Sequence, residues 1–350
     1  MLTRNIMPGL TFCVAIMLTM ISGCSLVGVK DTTGQSESVS RVWPEKPAQA
    51  RIAYVRSFAS PRDLGISKGF FAQIADFITG GTDWHLVRPM AVLATTDGII
   101  YVADPGSKAV HRFDTIKGKH KLIIGKDNQV LPSPVGLALG AKGELYITDS
   151  ALGQVFVLPV GADTAEVLDL KITPDQPTNI VVDQISKRLY VVDAALHHIK
   201  VYEPNGALLK TIGRRGDGNG EFNFPSMIWL DNKDRLLVSD ALNFRVQIFD
   251  LDGRFVSKFG HHGDGTGDLS RPKGVATDQY GHIYVVDALF HSVQVFNESG
   301  EFLLNVGGQG NAVGEFLLPT GIYISHDNMI YVADSHNNRI QVFRYMGVQP

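Results

Sequence analysis

One short motif occurs six times and limits this chain to an array of similar units: YVAD at 101–104, YITD at 146–149, YVVD at 190–193, LVSD at 237–240, YVVD at 284–287 and YVAD at 331–334. The aspartates Asp104, Asp149, Asp193, Asp240, Asp287 and Asp334 stand 44 to 47 residues apart. A period of this size is the signature of a repeat architecture. It also argues against reading Asp287 and His291 as a catalytic acid and base, because a residue present in every unit belongs to the scaffold.

Within a unit, an apolar stretch after a proline (Pro272-Lys273-Gly274-Val275-Ala276) leads through a turn to YVVD, then VQVF, the turn NESGE and finally FLLNVG. Each run has four to six residues, is rich in Val, Ile, Tyr and Phe, and is bounded by Gly, Asp, Asn or Pro, the pattern of strands and turns. Four short antiparallel strands repeated radially predict the blade of a β-propeller, so an all-β, six-bladed propeller is expected. The sixth unit lacks a fourth strand. RIAYVRSFA (51–59), with Ile52, Tyr54 and Phe58 alternating as in FVSKF, is expected to supply it and close the ring, leaving no open sheet edge. Before blade one, Phe70, Phe71, Ile74, Phe77 and Ile78 make one apolar stripe and predict a short amphipathic helix over 67–79, packed on a face of the disc. Docking on a membrane surface is the less favoured role for it, since Lys68 is the one nearby cation.

Three linkers align position by position: GRRGDGNGEFNFP (213–225), GHHGDGTGDLSRP (260–272) and GGQGNAVGEFLLP (307–319). With the strands ending NFRVQIF and NNRIQVF, they resemble the NHL repeat, over about residues 88–345 and most closely in blades four to six. Blades one to three share only the YVxD strand and its neighbours. The resemblance implies that function concentrates around the central channel, on the face that carries the turns after YVxD and the linkers. In peptidyl-hydroxyglycine lyases, which are similar propellers, zinc-binding histidines follow the proline that begins a blade. Here those positions hold Met90, Val135, Thr178, Ser226, Lys273 and Thr320, so that zinc site is not expected. The glutamate motif of the calcium-binding lactonase propellers and a Gly-x-Ser-x-Gly elbow are likewise not found.

The first residues, MLTRNIMPGLTFCVAIMLTMISGC, place Arg4 before an apolar run ending in small residues, as in a secretory signal. Ile21-Ser22-Gly23-Cys24 resembles a bacterial lipobox, which implies cleavage after residue 23 and a lipid on Cys24. Ser25 instead of aspartate points to the outer membrane, facing the periplasm or the cell surface. Residues 24–50, polar and without period, are expected to be a flexible tether, and 51–350 one propeller domain. Of the two cysteines, Cys13 leaves with the signal and Cys24 carries lipid, which excludes a thiol nucleophile and a cysteine-based metal site. The loss of Arg4 leaves 31 basic against 35 acidic residues, a balance unsuited to nucleic acid.

Comparison of equivalent positions gives the candidate site residues. Residues near the repeat aspartate vary while the scaffold does not, so Lys273, His197, Arg245, His291, His336 and Arg339 are candidates for a channel-face binding surface. Glu221, Asp268 and Glu315 share one linker position and read as turn residues. No ligand set demands a metal, and no cofactor is expected. The favoured function is a monomeric, lipid-anchored envelope module that binds a protein or a small ligand. The alternative is a lyase- or lactonase-type enzyme with calcium or zinc in the channel.

Overall fold

The computed structural model describes residues 41–66 and 84–347. Successive segments pair antiparallel in groups of four. Blade four is typical, with strands Pro225–Leu230, Arg235–Asp240, Arg245–Asp250 and Phe255–Phe259 in spatial order. Blades one and two are joined at their outer strands by a short parallel pairing, Thr164 with Ile124 and Ala165 with Gly125. Blade six takes Ile322–Ile324, Met329–Asp334 and Arg339–Tyr345 from one end of the domain and Ile52–Phe58 from the other. The pairing of Ile52 with Tyr345 and Phe58 with Ile340 closes the ring as the alternation predicts. The first strand of every blade contacts the first strands of its two neighbours, blade six touching blade one, so these strands surround a central channel.

Both faces of a blade pack against other blades, which is why the YVxD strands are apolar at successive positions. Tyr284, Val286, Val293 and Val295 of blade five meet Ile322, Ile330, Val332 and Phe343 of blade six. The aligned linkers contribute as well: Phe222, Leu269 and Phe316, the residues after the shared acidic position, are fully buried. Each such side chain stabilises the fold by roughly 1.5–3 kcal/mol through burial. Linker glycines make the space: a Cβ on Gly213, at φ 86°, would lie 2.3 Å from the Phe222 ring.

The N-terminal boundary differs from expectation. Val42–Trp43, assigned to the tether by composition, forms a fifth strand on blade six, pairing with Ala53 and Ile52. Trp43 is only 6% exposed and meets Phe343 edge-on at 5.6 Å between centroids. One tryptophan in a polar stretch is enough to dock it, so any tether ends before Arg41. The helix expected over 67–79 and Cys24 lie outside the described residues. Among the described residues no helix is long and apolar enough to cross a membrane.

Candidate functional site

The six repeat aspartates are wholly buried. They accept hydrogen bonds from the segment that leads into their own blade. Asp104 takes the backbone N–H groups of Val87 (2.7 Å) and Arg88 (2.9 Å), Asp193 those of Asp175 and Gln176, and Asp287 those of Ser270 (2.7 Å) and Arg271 (3.0 Å). Several also accept from the following turn, as Asp149 does from Ala151 and Leu152. Short carboxylates are well suited to this, having acceptors only and little side-chain freedom to lose. The consequence is a fixed position for the residues that flank each leading proline.

All six residues that follow those prolines, Met90, Val135, Thr178, Ser226, Lys273 and Thr320, line one mouth of the channel, a cavity of about 600 Å³. One position further on, Ala91, Asn179, Met227 and Gly321 line this cavity and also the one at the opposite mouth, and so form the waist. At Gly321 the waist leaves no room for a side chain: a Cβ there would lie 2.4 Å from the Met90 carbonyl oxygen. Two ring hydroxyls staple neighbouring blades, Ser226 Oγ donating to the Lys273 carbonyl (2.9 Å) and Thr320 Oγ1 to that of Met90 (3.2 Å). The Thr178 hydroxyl oxygen is buried without a partner among the described residues.

The two mouths differ in charge. The first is lined by Arg88, Arg271, Lys273 and His336 and by no carboxylate. Lys273 is half-buried, and burial together with the charge of Arg271 holds its ammonium pKa below the ordinary lysine value. The opposite mouth, about 650 Å³, has Trp229 and Tyr323 on its walls, with Asp183, Asp231, Asp234 and Asp278 and neither Lys nor Arg. Three of those four carboxylates serve local structure: Asp183 accepts from the backbone N–H groups of Ile185 and Ser186, Asp231 binds Arg235, and Asp278 binds His282 and Tyr284.

The six candidate residues separate into two groups. Lys273 and His336 line the first mouth. His197 and His291 instead accept the backbone N–H of the segment entering the next blade, Nδ1 of each from Phe224 (3.0 Å) and Leu318 (3.1 Å) respectively. Arg245 donates from Nε to Asp240 (2.8 Å) and from its Nη atoms to the carbonyls of Asp217, Gly218 and Glu221. Arg339 does the same with Asp334, Ala312 and Glu315. These two arginines fasten the glycine-rich linkers, and neither is among the residues lining the mouth. Glu221, Asp268 and Glu315 each accept a linker backbone N–H three residues before them, a turn role.

What sequence reasoning left aside is the remainder of the ring and the two arginines, Arg88 and Arg271, that precede leading prolines. The signal lies in the leading prolines: the ring residues share the register of Lys273 directly after them, and the two arginines share the register directly before them. Among the described residues, no group of three or more His, Cys, Asp or Glu is placed to hold a metal ion.

Residues 276–350 match a domain family described as a 6-bladed beta-propeller. The chain folds as a six-bladed β-propeller. Over 147 residues this propeller is 29% identical to Peptidyl-glycine alpha-amidating monooxygenase A of Xenopus laevis, a match covering 38% of this chain and 14% of that protein. The propeller therefore spans about one seventh of the curated relative it matches. Among solved structures, an auxiliary nutrient binding protein from Bacteroides thetaiotaomicron superposes with a TM-score of 0.58 at 13% identity, covering 77% of this chain and 74% of that one. Virginiamycin B lyase from Staphylococcus aureus gives 0.53 at 15% identity, covering 74% and 95%. At such identities the likeness concerns the fold.

Proposed function

We propose that this propeller is an exported binding protein that holds a small ligand in the channel mouth ringed by Met90, Val135, Thr178, Ser226, Lys273 and Thr320. The observation that carries the reading is the contrast between two sets of repeat positions. Those that build the scaffold are saturated with internal hydrogen bonds, as at Asp240 and Arg245. The six ring positions hold five different residue types and surround a cavity within the size range of small-molecule sites. Varied residues on a constant, rigid frame are how repeat folds obtain specificity. The nutrient-binding protein with the same fold supports this use of the architecture. Lipidation at Cys24 and attachment to the outer membrane complete the proposal, on the strength of the Ile21-Ser22-Gly23-Cys24 motif.

The test is mass spectrometry of small molecules retained by the protein purified from its own cells, beside a Val135→Trp variant whose added ring fills the mouth. The reading predicts a molecule released from the wild type on denaturation and missing from the variant. Equal retention by both proteins, or by neither, contradicts it.

A further inference from the structure

We propose that the channel mouth recognises an organic anion, a small molecule bearing a carboxylate or phosphate group, through Arg88, Arg271 and Lys273. This deepens the binding reading above and rests on it.

The three cations are placed by the repeat and are not scattered over the surface. Arg88 and Arg271 occupy the same register, directly before the leading prolines of blades one and five, and each has its backbone N–H fixed on a buried aspartate. Lys273 stands two residues after Arg271, in the ring itself. Blade six lies between blades five and one, and its contribution to the same wall is His336. The three cations therefore stand on blades five and one, with His336 of blade six between them. The facing arc, from blades two to four, presents Ser133, Ser150, Thr178 and Ser226 and no charged residue.

Elsewhere in the propeller, cations commonly have carboxylate partners: Lys200 with Asp193, Lys233 with Glu298, Arg188 with Glu203, Arg235 with Asp231. The side chains of Arg88, Arg271 and Lys273 have no such partner among the described residues. That is notable in a chain of net charge −3. Three like charges around one cavity repel one another, so an anion that enters relieves the repulsion and gains charge-assisted hydrogen bonds, most of all at the half-buried Lys273. A guanidinium fork matches the planar oxygens of a carboxylate or the tetrahedral oxygens of a phosphate. Met90, Met227, Leu289 and Leu318 supply apolar wall for a carbon skeleton, and the hydroxyl arc can bond to its uncharged end.

Isothermal titration of the full-length protein in neutral detergent, with citrate and separately with inorganic phosphate, tests the proposal, with sorbitol as the uncharged control. Saturable binding of citrate, phosphate or both is expected, weakening with added salt. The stronger of the two arms tells whether carboxylate or phosphate is preferred. Arg271→Gln, Lys273→Gln and Arg88→Gln should each weaken it about tenfold or more, as for loss of a charged hydrogen bond. Lys258→Gln, an exposed cation on the outer strand of blade four, should leave it unchanged. Absence of binding by both anions up to about 10 mM, or wild-type affinity in the three mouth variants, overturns the proposal. A molecule retained by the wild type, lost from Val135→Trp and indifferent to the three substitutions would overturn the anion inference while leaving the binding reading intact. Retention that Val135→Trp does not change would overturn that reading itself.

Discussion

Blades four and six use one solution to hold their repeat aspartate, and blades one and three use others. In blade four, Asp240 is bound by Arg245 and by Gln247, whose amide also spans the linker, accepting from Gly220 and donating to Glu221. Blade six repeats this with Asp334, Arg339, Gln341, Gly314 and Glu315. In blade three the glutamine position holds Lys200, whose ammonium lies 3.1 Å from Asp193. In blade one it holds His111. There Ser107 Oγ donates to Asp104, so it must accept from His111 Nε2, and His111 Nδ1 in turn accepts from His120 Nε2, at 3.0 Å for each contact. The buried carboxylate is the constant, and the donors around it are exchangeable. Glutamine is used where a glycine-rich linker must also be pinned, joined by arginine in blades four and six but not in blade five, where Ser292 takes the arginine position and Gln294 alone reaches the linker carbonyl of Asp268; a short hydroxyl and two imidazoles suffice in blade one, which has no such linker.

The largest expected effect breaks the regular half. Asp240→Ala leaves the Arg245 guanidinium buried without its carboxylate, and should cost about 3–5 kcal/mol. Asp149→Ala in blade two removes only an acceptor of backbone N–H groups, those of Ser133, Ala151 and Leu152, and should cost about 1–3 kcal/mol. Urea unfolding of the two variants checks the order, and equal losses would mean that the arginine network adds nothing to the shared contact.

A second test uses pH. Burial lowers the pKa of both His111 and His120 to about 4, and for His111 the neighbouring imidazole adds to the shift while Asp104 opposes it. Both are therefore neutral in the folded protein at pH values where an unfolded histidine is already protonated. As pH falls, the unfolded chain takes up protons first. The stability this pair contributes is complete above about pH 6.5 and is lost as pH falls towards about 4, by roughly 3 kcal/mol for the buried His111 and by less for the half-buried His120. His111→Gln gives blade one the residue of the regular blades and should flatten much of that slope. An unchanged pH dependence of the unfolding midpoint in this variant would remove the imidazole pair from the account.

The smallest effects concern the residue four places after each aspartate. It has a positive φ in all six blades: Lys108, Gly153, His197, Phe244, His291 and Asn338, between 52° and 64°. Gly153→Ala should cost about 1 kcal/mol, and Lys108→Gly, at an exposed side chain, should be neutral or stabilise by less than about 1 kcal/mol. Thermal unfolding of the pair separates a turn that demands this backbone from one that merely tolerates it.

Most of the fold was legible because its signals are local and repeated: the YVxD strands, the aligned linkers, and an N-terminal strand alternating as FVSKF does. Trp43 was not, since a single buried aromatic in a polar stretch has no period to reveal it. The candidate site was half legible. Proximity to the repeat aspartate singled out His197, His291, Arg245 and Arg339, but a side chain next to a buried carboxylate is most often committed to holding the backbone. Lys273 lies in the ring of side chains after the prolines, and that ring is seen only when all six are viewed as walls of one channel, a relation that sequence spacing does not display.

The most direct test of the central claim is amide hydrogen exchange of the protein with and without saturating citrate or phosphate, whichever binds more tightly. Slower exchange confined to 87–91, 133–136, 271–274 and 318–321, the segments around the leading prolines at the cationic mouth, is the predicted result. Protection at the opposite mouth, around Asp231–Asp234 and Tyr323–His326, or along the outer strands, would contradict the assignment.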